Sequence, residues 1–205
     1  QLLLGGDLQA RMSYREINND ELAALKAAGD ISSYISMRSM ARSITATTNE
    51  TRERTLIELK AVDGLYPLYG TIDLSPDLPL SEVIANRDGY WGAVLDPVLR
   101  TRLGIDVGDI IRVGEASLQV RAFINKEPDR VISFATAGPR VMVSLQAMPE
   151  TELVQLGSMI NYVYNVRITG DLSADALRKQ IMDEFPDAGW RLRGLNQAAR
   201  SLEIF

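Results

Sequence analysis

The run 103–120, LGIDVGDIIRVGEASLQV, brings Asp106, Asp109 and Glu115 together with Arg112 and the glycines Gly104, Gly108 and Gly114. Carboxylates so close on a loop are the raw material for acid–base chemistry or for an oxygen-ligated hard cation. Their spacing does not fit an EF-hand loop, and acidic residues on glycine-containing turns ordinarily serve as solvated turn formers, which is the favoured reading. Gly104 and Gly108 lack the following Gly-Lys-Ser/Thr of a phosphate-cradling loop. Ser117, Ser133 and Ser144 have neither a histidine partner nor a Gly-x-Ser-x-Gly elbow, so a serine triad is excluded and only a Ser–Lys dyad stays open.

The chain of 205 residues contains no histidine and no cysteine. That removes the usual general base, the thiolate nucleophile, nitrogen- or sulfur-ligated zinc and every disulfide. No catalytic, cofactor-binding or metal-ligating residue is assigned, and no cofactor is expected. A net charge of -5 with scattered basic residues argues against a nucleic-acid partner, because phosphate binding draws on clustered Lys and Arg. With 46% hydrophobic and 24% charged residues the composition is that of a folded globular chain of one large or two small domains.

The elements that would position any site follow from periodicity. A strand is expected over 6–13, then a short helix capped by Asn19 or Asp20, with Leu22, Leu25 and Ala28 inward and Gly29 as its stop. Residues 30–48 and 54–62 read as a long hairpin across the polar turn TTNETR. Its arginines Arg38, Arg42, Arg52 and Arg54 read as a solvated face, with an anionic-ligand site as the alternative. Asp96 and Pro97 start a helix that ends at Gly104; Gly108 and Asp109 form a turn, IIRV a strand, Gly114 and Glu115 a hairpin turn, and SLQVRAFI a returning strand with Leu118, Val120 and Ala122 on one face. RVMVSL is a further strand and Pro149 to Glu152 a brief helix. From Asn161 the pattern is strand (YVYNVRI), a helix capped by Ser173 with Leu177, Ile181 and Phe185 inward and ended by Pro186, and a strand at WRLRGL.

Both ends of the chain share one strand–helix–strand grammar, and a strand-rich block lies between them. The expected fold is α+β and two-lobed: an α+β lobe from 1–65 and 158–205, with an inserted β-rich lobe from 66–157. Asp63, Gly64 and Gly157 are the candidate inter-lobe hinge. The methionines and aromatics read as core or inter-lobe packing, with Tyr66, Tyr69, Phe134, Met148, Met159 and Tyr162 as candidates for a lipophilic or partner surface. No stretch approaches the roughly 20 apolar residues of a membrane span, and no cleavable signal sequence is visible. Leu2 to Leu4 make a poor solvent-exposed start, and Leu195, Ala198, Ala199, Leu202 and Phe205 fall on one helical face with no stop signal.

Taken together, LDPVLRTRLGIDVGDIIRVGEASLQVRAFI resembles a recurrent segment in the extracytoplasmic domain of FtsX-like, MacB-type ABC transporter permeases, in which a short helix leads into a Leu-Gly-hydrophobic-x-x-Gly-Asp turn and a hairpin. Leu103, Gly104, Val107, Gly108, Asp109, Val113 and Val120 match, while Ala122 stands where glycine is usual. KAVDGLYPLYG, SFATAGPRVMVSL and LGGDLQAR are similar more narrowly to YbbP-type permeases. The resemblance implies a non-enzymatic MacB-like periplasmic core domain at the periplasmic face of the inner membrane, anchored by flanking transmembrane helices of which the two apolar ends would be stubs. It implies a separate cytoplasmic ABC ATPase, export or extraction of lipophilic molecules, and docking of a periplasmic TesA-like esterase. The alternative is a soluble small-ligand-binding domain or enzyme whose polar loops bind a sugar or anion.

Overall fold

The structure, a computed structural model, describes residues 5–44, 54–130 and 138–194. Phe134, Ser133, Arg52, the TTNETR turn and both apolar ends lie outside the described residues.

In chain order the first elements are β1 (Leu8–Ser13), α1 (Asn19–Ala28), β2 (Gly29–Ser43) and β3 (Arg54–Val62). β1 alternates, burying Leu8, Ala10 and Met12. The cap of α1 is Asn18, one residue earlier than expected. Its side chain accepts from the Glu21 amide at 2.9 Å while the Glu21 carboxylate accepts from the Asn18 amide at 2.8 Å, a reciprocal capping box that fixes the start. At the far end of α1, Gly29 lies so close to β10 (Ile160–Ile168) that a Cβ would stand 2.0 Å from the Arg167 carbonyl oxygen. β2 and β3 form the expected antiparallel hairpin, Tyr34 opposite Val62 through Arg42 opposite Arg54.

The middle of the chain supplies β4 (Asp73–Ser75), α2 (Leu80–Val83), β5 (Asn86–Arg87), β6 (Tyr90–Leu95), α3 (Val98–Leu103), β7 (Ile110–Val113), β8 (Ala116–Lys126), β9 (Arg140–Ser144) and, after the tight turn Leu145–Ala147, α4 (Met148–Thr151). The N-cap of α3 is Pro97, one residue later than expected, while the Asp96 carboxylate just before it accepts from the Val98 amide at 3.1 Å, and Gly104 closes the helix in the left-handed conformation, φ 61°. β10 is followed by α5 (Ala174–Glu184), capped by Ser173 as expected and burying Leu177 and Ile181, and by β11 (Arg191–Gly194).

All strands join one mixed sheet in the order β11-β1-β10-β2-β3-β9-β6-β8-β4, with β5 on β6 and β7 bridging β2 and β8. The class is α+β. Strands from the two chain ends occupy one half of this order and strands from the middle occupy the other; the halves meet at the parallel β3–β9 pair and the antiparallel β2–β7 pair. The central strands are covered on both faces. Leu59, Ala61, Val141, Val143, Ala93 and Leu95 join a larger core with Leu25, Leu99, Leu177 and Ile181 from the helices, while the alternate positions Val62, Met142 and Val94 join a second core with Leu80 and Val83 of α2.

One register detail corrects the sequence reading. Ala93 pairs with Val120 but Val94 pairs with Ala122, so Arg121 bulges out of β8. The extra residue reverses the faces: Leu118 and Val120 point into the larger core and Ala122 into the second.

Candidate functional site

Alternation along β3 puts Glu58, Lys60 and Val62 on the face of the second core. Lys60 is 2% exposed. Its ammonium is held by Glu127 Oε1 at 2.8 Å, Asp129 Oδ2 at 2.9 Å and the Tyr66 hydroxyl at 2.9 Å, and it lies 4.3 Å from the ring centroids of both Tyr34 and Tyr66. Arg140, on neighbouring β9, donates from Nε to Glu127 Oε2 at 3.0 Å and pairs with Glu58 at 2.9 Å. Ser36 completes the shell of Glu58 at 3.0 Å, and the Tyr66 hydroxyl donates to Asp129 at 2.5 Å. This network ties the end of β8 and the loop after it to β3 and β9.

The electrostatics are those of a locked structural cluster. Burial alone would lower the Lys60 pKa, but Asp129 and Glu127 outweigh it and the net shift is upward. Burial would raise Glu127, yet Lys60 and Arg140 hold it below the usual carboxylate range. Arg140 is raised by Glu127 and Glu58 against its desolvation. Burial pushes the Tyr66 hydroxyl up, with Asp129 and Glu127 adding to it. Lys60 is the one buried lysine among the described residues, and its donors are spent on Glu127, Asp129 and Tyr66. A lysine in that state can neither take a proton from a serine nor attack a carbonyl, so no Ser–Lys dyad forms on it.

Beside this cluster a cleft of about 430 Å³ opens between the end of β3 and α2, lined by Val62, Tyr66, Leu80, Asn86, Trp91 and Gln146 among others. Trp91 is fixed by donating to Glu150 at 2.7 Å. Among the described residues no basic side chain lines the cleft. Its rim includes Asp63, whose carboxylate accepts from Ser32 at 2.9 Å, the Ser33 amide at 2.5 Å and the Leu65 amide at 3.0 Å.

The other residues singled out from sequence are dispersed. Asp106 and Asp109 build the expected turn: Asp109 accepts from the Asp106 amide at 2.8 Å, and Asp106 accepts from the Val107 amide at 2.8 Å and pairs with Arg100. The Arg100 hydrogen bond holds Asp106 below its ordinary value. Arg112 pairs with Glu115. Tyr66 packs edge-on to Tyr34 in the second core, with centroids 6.3 Å apart. Met148 and Tyr162 are buried in the larger core, and Tyr69 donates to Asp7 at 2.9 Å, its pKa pushed up to about 12 chiefly by burial. Met159 is 76% exposed in the loop before β10. These aromatics and methionines share no single patch. Gly64 and Gly157 each have open space where a Cβ would stand. Sequence reasoning passed over Lys60, Glu127, Asp129 and Arg140; the available signal was a lone cation within the apolar runs LIELKAV and RVMVS.

Among the described residues no helix is long and apolar enough to cross a membrane, and no group of acidic side chains is placed to hold a metal ion. The mixed sheet, with its end-derived half and its middle-derived half, is similar in fold to the periplasmic region of MacB. The similar solved structures are the periplasmic region of MacB from Actinobacillus actinomycetemcomitans (TM-score 0.57, 10% identity, 98% of this chain and 95% of that one), the extracellular domain of the ABC-type transporter YknZ from Gram-positive bacteria (TM-score 0.56, 10% identity, 91% and 100%), and a domain of a permease protein from Porphyromonas gingivalis (TM-score 0.55, 10% identity, 94% and 92%). In sequence the chain is 31% identical over 109 residues to an uncharacterised ABC transporter permease, YbbP, of Escherichia coli strain K12, a match that spans 53% of this chain and 13% of that relative. No family model matches.

Proposed function

We propose that this chain is the extracytoplasmic domain of an ABC transporter permease and that it acts mechanically, without bond chemistry of its own. The observation that carries the reading is the fold likeness over 98% of the chain, joined to sequence similarity with a permease. Two of its structural neighbours are named as a periplasmic region and an extracellular domain, and a location at the periplasmic face of the inner membrane is proposed here. On this reading a separate cytoplasmic ATPase moves the transmembrane helices of the permease. The domain passes that motion to export or extraction of a lipophilic substrate and to a docked periplasmic partner such as a TesA-like esterase.

The sheet suits this task. β1 is paired on one side with β11 and on the other with β10, so a load on either end-derived strand reaches β2 and β3 through continuous hydrogen-bonded ladders. The parallel β3–β9 pair and the Lys60 cluster carry it into the half built from 66–157. Under the two-lobe division, Asp63, Gly64 and Gly157 stand at the joints between the lobes, and the continuous ladders hold those joints fixed. The bonds from Ser32 and Ser33 to Asp63 keep the first joint stiff.

Reconstitution of the complete permease with its ATPase in vesicles carrying a fluorescent acyl reporter tests the reading. Replacing 5–194 by a Gly/Ser linker should abolish nucleotide-driven extraction while the isolated 205-residue chain hydrolyses no p-nitrophenyl ester. Retained extraction, or ester turnover by the isolated chain, would overturn it. Calorimetric titration of the chain with a TesA-type esterase decides the partner separately, absence of heat and of co-elution removing it. The cleft beside Trp91 favours a second reading, a binding domain for a small neutral ligand such as a sugar; a saturable change in Trp91 fluorescence with oligosaccharide would support it.

A further inference from the structure

The outer face of the β2–β3–β7 junction carries an arrangement that the fold does not require. Arg42 lies directly opposite Arg54 on β3 and directly opposite Arg112 on β7. Directly paired residues point to the same side, so these arginines form a row across the strands. Like charges in such pairs repel. Four residues along the same hairpin the arrangement is complementary, with Arg38 opposite Glu58. Arg112 has Glu115 as a partner, whereas Arg42 and Arg54 have no ion pair among the described residues. Apolar side chains flank the row on both sides: Met40 (44% exposed) and Leu56 (39% exposed) face each other on one side, and Ile44 (36% exposed) lies beside Ile110 on the other.

We propose that this cationic row with its apolar borders is the docking platform for an acidic amphipathic helix of a protein partner. Three considerations select that occupant. Neighbouring strands stand about 4.8 Å apart, so the row spans about 10 Å. A helix rising 1.5 Å per residue places acidic side chains at i, i+3 or i+4, and i+7 over the same span, whereas the i, i+2 spacing of an extended peptide, about 6.8 Å, does not match. The apolar positions lie two residues to either side along the strands, where the flanks of such a helix would rest. Finally, the platform is remote from the edge where Leu8 pairs with Gly194. Gly29 of β2 sits at that edge opposite Ile168, and Arg42 is 13 residues further on, roughly 40 Å at strand rise. On the permease reading, on which this placement rests, the platform lies at the end of β2 far from the bilayer, which disfavours a lipid surface as its occupant.

The test is an NMR titration of the 205-residue chain, following the arginine Nε–H resonances and the Met40 methyl. The probes are a synthetic helical peptide with Glu at i, i+4 and i+7 between leucines, vesicles of phosphatidylglycerol, and polyphosphate. The peptide should shift Arg42, Arg54, Arg112 and Met40 together, with affinity falling at least tenfold between 50 and 300 mM salt. The double variant R42E/R54E should lose binding by at least tenfold while keeping its melting temperature, and R191E on the distant β11 should bind like the parent. No shift at millimolar peptide, unchanged binding by R42E/R54E, or equal binding of vesicles or polyphosphate would each overturn the proposal. None of these outcomes bears on whether the domain couples ATP hydrolysis to extraction, which the reconstitution decides on its own.

Discussion

Replacing Lys60 by methionine would leave Glu127 and Asp129 buried beside each other with Arg140 as the remaining cation at Glu127. Breaking a buried ion pair from one side typically costs about 3–5 kcal/mol, and that loss is expected for K60M in denaturant unfolding. A readout near zero would mean that the cluster is wet and of little structural consequence. The same cluster sets the pH limits of the fold. Glu127 is held below its ordinary value, so its contribution is present above the unfolded value of about 4.3 and is lost as pH falls through the lower folded value. Lys60 is raised, so its contribution is complete below about 10.4 and is lost only as pH rises through the higher folded value. Tyr66 and Tyr69 are acids kept neutral by the fold; stability therefore falls as pH rises above about 10, the Tyr69 part levelling off near about 12. Thermal melts across pH should show a plateau from about 5 to about 10 with losses on both sides. At this scale the sequence revealed least. Asp106 and Asp109 could be read as turn formers because their partners are local, whereas Glu127 and Asp129 meet Lys60 from 67 and 69 residues away.

Among the elements, the bulge at Arg121 yields the sharpest expectation. The Arg121 guanidinium donates to the carbonyls of Val83 at 3.2 Å, Ala85 at 2.6 Å and Tyr90 at 3.0 Å, holding α2 and β5 against β6. Burial lowers its pKa accordingly. Gly92 must approach the same place: a Cβ there would stand 1.7 Å from the Val83 carbonyl and 2.9 Å from Arg121 Nη1. G92A should therefore destabilise by about 1–3 kcal/mol, and hydrogen exchange should show the loss of protection concentrated at 80–92. Uniform protection in G92A would contradict this account. R121M should open the same segment by orphaning those carbonyls. The elements themselves were largely legible, because capping at Ser173, the Gly104 stop and the alternation of β2, β3, β8 and β10 are local signals. The misplacement of Ala122 has the opposite cause, since a bulge is created by the partner strand and leaves no mark in the run SLQVRAFI.

For the whole molecule, composition excluded most chemistry and the shared grammar of the two chain ends gave the class of fold. Which half-sheets meet, and that they meet through a parallel β3–β9 pair, depends on contacts no local pattern encodes. That junction is central to the proposed action, because a domain joined by continuous ladders should move as a stiff body. The chain has no native cysteine, so labels placed at Lys179 on α5 and at Asp77 before α2 report on it without competition from within the domain. The most direct measurement is pulsed electron spin resonance on the complete permease with its ATPase in nanodiscs, with and without ATP. The account predicts an unchanged Lys179–Asp77 distance distribution together with a nucleotide-dependent change between Asp77 and a spin-labelled lipid headgroup. A nucleotide-dependent change within the domain, or no displacement of Asp77 relative to the bilayer, would contradict it.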